Sequence, residues 1–287
     1  MAKENFKAYL KKRKKDSNKG DYGRVFIIAG SVGYTGAAYL CAKAAMRSGS
    51  GLVTLGIPEG LCSIMEIKLT EVIKKPLPQT DELTLSLKAK DEILKFSQGV
   101  DSIAIGPGLS RHEEVKKLVK SLILQIDKPT VIDADGINAL ADKPEIVKKA
   151  KCPLILTPHP GEMSRIAKIG IEDIQRNREE IALSYAQKLN VVLVLKGYKT
   201  VIATPEGKVY VNMTGNPGMA SAGTGDVLTG MIASFLGQGL EPFKAAKLGV
   251  YLHGAAGDLV AKEKSQASLI AEDLIEKLPT VFKLLGK

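Results

Sequence analysis

From Arg24 onward, short β-branched runs alternate with helical stretches, and five of the runs end in a polar or glycine-rich turn. That alternation leaves few architectures open. Val25 to Ala29 is apolar throughout, as expected of a strand buried on both faces. It ends in Gly30-Ser31-Val32-Gly33, and the Ala-, Leu- and Met-rich stretch from Gly36 to Ser48 reads as a helix closed by Gly49 and Gly51. Leu52 to Ile57 reads as the second strand. Further strands are predicted at 102–105, 130–132, 154–156 and 191–195, and helices at 112–125 and 171–189. Two runs, about 199–204 and 208–213, flank Pro205-Glu206-Gly207 and predict an antiparallel hairpin. The remainder reads as helix over 225–237, 242–262 and 270–284, with Pro279 interrupting the last.

Strands alternating with helices imply an α/β fold, a mostly parallel central sheet with helices on both faces. There is no internal repeat and no composition break after residue 24, so residues 19–287 are expected to form one domain behind a basic segment, 1–18. Ligands of open parallel sheets bind beyond the carboxyl ends of the strands. The turns AGS, GPG, DADG, TPHPG and KG should therefore line one crevice.

Charge and composition narrow the function classes. The net charge is +10, but residues 1–24 hold nine basic and three acidic residues, leaving only +4 for the rest. The run Lys11-Lys12-Arg13-Lys14-Lys15 could touch nucleic acid or anionic lipid, but such runs are more often solvated faces. The segment is predicted mobile or loosely docked, for want of apolar surface. Without tryptophan and with few aromatics, the chain lacks a stacking surface for single strands, so no nucleic-acid partner is expected. Cys41, Cys62 and Cys152 stand far apart and form no metal or disulfide spacing; buried thiols in a cytoplasmic protein are expected. No apolar run is long enough to span a membrane.

The usual nucleotide signatures are absent. Gly30, Gly33 and Gly36 are spaced G-x-x-G-x-x-G, and neither a P-loop nor a G-x-S-x-G elbow occurs. Three scattered histidines do not make a zinc site, and no protein metal ligands are assigned. The strongest segment is Thr214 to Gly230, where small residues from Ala220 lead through Gly223, Thr224 and Gly225 to Asp226 and an apolar helix. Glycines let successive N–H groups converge, and a helix N-terminus adds unpaired donors and positive dipole. Gly223, Thr224 and Gly225 would thus form an anion nest, most naturally for phosphate. Asp226 beside it could take a proton from a substrate hydroxyl; the alternative is a helix cap. The dipole is expected to lower its pKa and make it a weak base, sufficient for phosphoryl transfer.

The segments KGDYGRVFIIAGS (19–31), GAA (36–38), IGPGL (105–109), VIDADGINAL (131–140), LILTPHPGE (154–162), VLKGYKTVI (194–202) and TGNPGMASAGTGDVLTGMI (214–232) carry a resemblance. From about residue 19 to the C-terminus the chain resembles the ADP/ATP-dependent NAD(P)H-hydrate dehydratases of the ribokinase-like superfamily. GTGD marks the superfamily; TPHPGE combined with NPGMASAGTGD is more specific.

The resemblance implies a ribokinase-like fold and a carbon–oxygen lyase of metabolite repair. ADP or ATP would phosphorylate the ring hydroxyl of hydrated NADH or NADPH, and phosphate would leave. By position Asp226 looks like the catalytic base. Ala37, Gly108 and His159, with Asp226, look like contacts to the hydrated cofactor. Lys196, Gly197, Tyr198, Lys199, Thr200 and Gly225 look like nucleotide contacts. Mg²⁺ would sit mainly on phosphate oxygens. Both nucleotides present the groups the nest would hold, so the donor stays open, as does the choice between the two hydrates. A homo-oligomer is expected, a homotetramer included. The family often carries an N-terminal epimerase domain; these residues contain none, and 1–18 would be the remnant of a junction. On the residues alone, His159 could bind a ligand or be structural, and Lys196 could snorkel or meet phosphate. Two other readings remain: a hydroxymethylpyrimidine or hydroxyethylthiazole type of kinase on the same fold, and a non-enzymatic nucleotide- or nucleic-acid-binding protein.

Overall fold

A computed structural model describes residues 4–286. The strands are β1 Arg24–Ile28, β2 Leu52–Pro58, β3 Ile73–Leu77, β4 Ser102–Ile105, β5 Thr130–Ile132, β6 Leu154–Leu156, β7 Val192–Leu195, β8 Val201–Ala203 and β9 Val209–Val211. The helices are α1 Thr35–Arg47, α2 Cys62–Lys68, α3 Lys90–Ser97, α4 Glu113–Ile123, α5 Asp135–Asn138, α6 Pro160–Ala167, α7 Ile171–Arg176, α8 Arg178–Leu189, α9 Thr224–Gly237, α10 Pro242–Glu263 and α11 Ala271–Leu284.

All nine strands form one sheet, ordered β3-β2-β1-β4-β5-β6-β7-β8-β9. The first seven run parallel, and β8 and β9 close the edge as the predicted antiparallel hairpin. Strand side chains alternate between faces, which splits the core in two. Val25 and Ile27 pack with residues of α1, α9, α10 and α11 on one face. Phe26 and Ile28 pack with Val115, Leu118 and Leu122 of α4 and Ala182, Ala186 and Leu189 of α8 on the other. The sheet is thus a middle layer between two helical layers, the ribokinase-like α/β architecture.

Several elements differ from expectation. The helix predicted over 171–189 is two helices, parted at Asn177 (φ −124°, ψ 41°). Pro279 does not end α11, whose face of Leu274, Ile275, Leu278 and Val281 is buried; that packing offsets the lost backbone bond. The edge strand β3 was not anticipated. Cys41 is buried as expected, but Cys62 and Cys152 are only partly so; all three are free.

The basic segment was expected to be mobile or loosely docked; residues 4–18 of it are described, and they are anchored on the domain. Phe6 is buried and stacks on Tyr251 at 4.2 Å between centroids, with Tyr9 and Tyr210 at its edges. Glu4 pairs with Lys247 at 2.7 Å. Arg13 lies over the Tyr22 ring and donates to the Gly49 carbonyl at 2.8 Å. Counting charges hid the aromatic pair that anchors the segment.

Candidate active site

The sheet reverses its winding between β1 and β4, whose outgoing connections run to opposite edges. The crevice above such a switch point is where ligands of open α/β sheets bind. Its two loops are laced together: the Gly30 N–H donates to the Pro107 carbonyl at 2.9 Å, and Ser31 Oγ to the Gly108 carbonyl at 2.8 Å. Gly108 has φ +63°, and a Cβ there would come within 3.0 Å of Ala37 Cβ and 2.8 Å of Tyr34 Cβ. Ala37 and Gly108 therefore line one narrow floor.

The second feature is the start of α9. Gly223 holds φ +88°, turns the chain into the helix, and leaves it without a side-chain cap. The N–H groups of Gly225 and Asp226 find no partner among the described residues. Of the three residues expected to form the nest, Gly223, Thr224 and Gly225, Thr224 has its N–H taken by the Ser221 carbonyl at 3.4 Å; the two free donors, with the positive helix end behind them, could hold an anion. Asp226 lies within the first turn rather than at the N-cap, so capping does not account for it.

A buried polar network stands behind the nest. Lys196, just after β7, places Nζ 2.5 Å from Asp133 Oδ1 and 3.9 Å from Glu162 Oε2. Thr229 of α9 donates to the other Asp133 oxygen at 2.7 Å. Burial alone would drive Lys196 neutral; the carboxylates of Asp133 and Glu162 outweigh it and hold the ammonium above the ordinary lysine range. A Cβ on Gly225 would lie 3.2 Å from that ammonium, so the network and the nest share one boundary.

Asp226 titrates opposite to expectation. Burial pushes its pKa up to about 7, the Asp133 carboxylate adds to the rise, and Lys196 opposes it. The helix dipole is outweighed because a buried carboxylate beside another carboxylate resists ionisation. A pKa near the working pH suits a general base better than the weak base expected.

His159 holds two positions at once. Its Nδ1 accepts from the N–H groups of Gly161 (2.9 Å) and Glu162 (3.3 Å), while Glu162 Oε2 accepts from the His159 N–H at 2.8 Å. That is a capping box at the start of α6. The ring also faces a cavity of about 650 Å³, lined by Lys196, Gly197, Tyr198, Lys199, Thr200 and Gly225 among others. All six residues expected at a nucleotide share this one space. Ala37 and Gly108 lie outside it, so the set expected to hold hydrated cofactor is split, with His159 on the nucleotide side. Besides burial, the charges of Asp133, Glu162 and Asp135 raise Asp226 while that of Lys196 opposes them, and Asp135 accepts from the Ser110 N–H at 2.9 Å.

From the sequence, Asp133 and Asp135 stand open between positioning Mg²⁺ through water and capping residues 137–139, and Glu162, Thr229 and His253 give no signal; in the fold Asp133 instead bonds Lys196 and Thr229. Asp133 and Thr229 are joined only by the folded sheet, across 96 residues of chain. Among the described residues no group of three or more His, Cys, Asp or Glu side chains is arranged to hold a metal ion.

The family described as NAD(P)H-hydrate dehydratase matches residues 25–280. The chain belongs to that family. It is 39% identical to the ADP-dependent (S)-NAD(P)H-hydrate dehydratase of Bacillus subtilis over 280 residues, covering 98% of this chain and 96% of that one. It is 49% identical to the bifunctional NAD(P)H-hydrate repair enzyme of Moorella thermoacetica over 97% of its own length, but 53% of the relative's. The chain thus spans about half the length of the bifunctional relatives it matches. In three dimensions it resembles the ADP/ATP-dependent NAD(P)H-hydrate dehydratase from Bacillus subtilis co-crystallized with ATP/Mg²⁺, with TM-score 0.83 at 37% identity, covering 98% and 96% of the two chains. An Arabidopsis thaliana ribokinase (TM-score 0.52, 15% identity, 88% and 98% covered) shares the fold alone.

Proposed function

We propose that this dehydratase-family chain returns hydrated NADH and NADPH to NADH and NADPH at the expense of ADP or ATP. The observation that supports the proposal is Asp226, a carboxylate raised by burial in the first turn of α9, at the free N–H groups of the helix start and under the charges of Asp133 and Lys196. The nucleotide would lie in the cavity along Lys196 to Thr200, its phosphates reaching Gly225 and the start of α9. The hydrated ring would lie over Ala37 and Gly108. Asp226 would accept the ring hydroxyl proton as that oxygen attacks the terminal phosphoryl group. The nest and Lys196 would take up the charge on the transferred group. AMP or ADP then departs. The ring nitrogen's lone pair expels inorganic phosphate, taking the C–O bond electrons with it, and loss of the neighbouring ring proton restores the dihydropyridine. Mg²⁺ fits as a phosphate-borne ion that neutralises charge, because Asp133 is already taken by Lys196 and Thr229. These cofactors belong to the cell interior, which puts the reaction in the cytoplasm; a homo-oligomer is the expected assembly.

The test is product analysis. One inorganic phosphate and one reduced cofactor per nucleotide consumed support the proposal. A stable phospho-ester, with no phosphate released, would make the chain a hydroxyl kinase instead.

A further inference from the structure

His253 of α10 lines the nucleotide cavity next to the nest. Its Nε2 stands 2.9 Å from the carbonyl oxygen of Thr224, the first residue of α9. A carbonyl only accepts, so Nε2 carries the proton and Nδ1 is left as an acceptor. Nδ1 has no partner among the described residues. It is not sealed off either, since the buried side-chain atoms without partners are Ser48 Oγ and Arg178 Nε. Burial lowers the imidazole pKa to about 4, the Thr224 bond opposing and the Lys196 charge assisting. The ring therefore stays neutral, and the acceptor persists across physiological pH.

We infer that His253 is a specificity-determining residue whose Nδ1 accepts a hydrogen bond from the nucleoside of bound ADP or ATP. The inference rests on the nucleotide reading of the cavity. A nucleoside offers two kinds of donor, the ribose hydroxyls and the exocyclic amine of adenine. Phosphates at the nest leave the ribose as the part of the nucleotide nearest to them. A neutral acceptor adds no charge repulsion toward phosphate, as a carboxylate at this place would, and it leaves a nucleoside lacking the donor with an unmatched polar atom.

Two variants separate the ring's two nitrogens. His253→Gln can still donate to the Thr224 carbonyl but has no acceptor where Nδ1 stood. His253→Asn keeps an acceptor near Nδ1 and gives up the Thr224 bond. By calorimetry, His253→Gln should weaken ADP and ATP binding about tenfold, as expected for one hydrogen bond. His253→Asn should lower the melting temperature yet change affinity by less than about threefold. Deoxyribose analogues of ADP and inosine diphosphate identify the donor: the analogue lacking it should bind the parent about tenfold more weakly and His253→Gln no worse than ADP does. Equal affinity of parent and His253→Gln for ADP, or equal losses for every analogue in both proteins, would overturn the inference alone. A folded parent that binds neither ADP nor ATP would bring down the nucleotide reading and the inference with it.

Discussion

Asp226 shows how far a local argument reaches at the scale of one residue. The sequence places an aspartate at a helix start, and the dipole alone predicts a lowered pKa. Folding adds Asp133, which arrives from the end of β5, and enough burial to reverse the sign. Turnover should therefore rise with pH through about 7 and fall about tenfold per unit below it, as the base is protonated. Asp226→Asn should cut turnover by about two to four orders of magnitude. The same variant should also be more stable than the parent at alkaline pH. The folded pKa lies above the unfolded value of 3.8, so the folded state binds the proton more tightly and loses stability as pH rises from there through about 7. Melting curves should show the variant ahead near pH 8, with the difference gone below about pH 4; no difference at either pH would mean Asp226 is not strained by burial. Lys196 and Gly225 were legible because each closes or opens a patterned element. Thr229 and His253 were not, nor were the partners of Asp133, because these pairs are joined across 63, 96 and 29 residues of chain.

At the scale of elements, a segment was legible where burial was uniform. Phe26 to Ile28 and Leu193 to Leu195 read as strands because both faces are covered. The edge strand β3 carries Lys74, Lys75 and Pro76, a composition tolerated only at an edge, and so gave no strand signal. The break at Asn177 was invisible because the apolar period continues across it. The 3₁₀ turn Phe6–Tyr9 was hidden inside a basic stretch, yet Phe6 packs against Tyr210 beside β8 and Tyr251 on α10. Phe6→Ala should lower stability by about 3 kcal/mol, as for other buried aromatics, while turnover per folded molecule stays near the parent value. A denaturant midpoint unchanged from the parent would show that the segment is only laid on the surface. Trimming residues 1–15 should act in the same direction, on stability before turnover.

At the scale of the whole molecule, the sequence marks the carboxyl edge of the strands as the candidate site but not the order of the strands. Five polar turns marked the carboxyl ends as one crevice, since each strand announces its own end. The order β3-β2-β1-β4 depends on pairings that no local pattern encodes, and with it the switch point that separates Ala37 and Gly108 from the cavity along Lys196 to Thr200. In the proposed mechanism these would be two subsites on one edge served by the raised carboxylate of Asp226, the arrangement that phosphoryl transfer between two bound molecules needs. The most direct measurement mixes the protein and Mg²⁺ with hydrated NADH, with and without ADP or ATP, and follows dihydronicotinamide absorbance. The account predicts that absorbance returns only when nucleotide is present, and that Asp226→Asn slows the return by about two to four orders of magnitude. A folded, nucleotide-binding protein that leaves hydrated NADH unchanged with both ADP and ATP would contradict it.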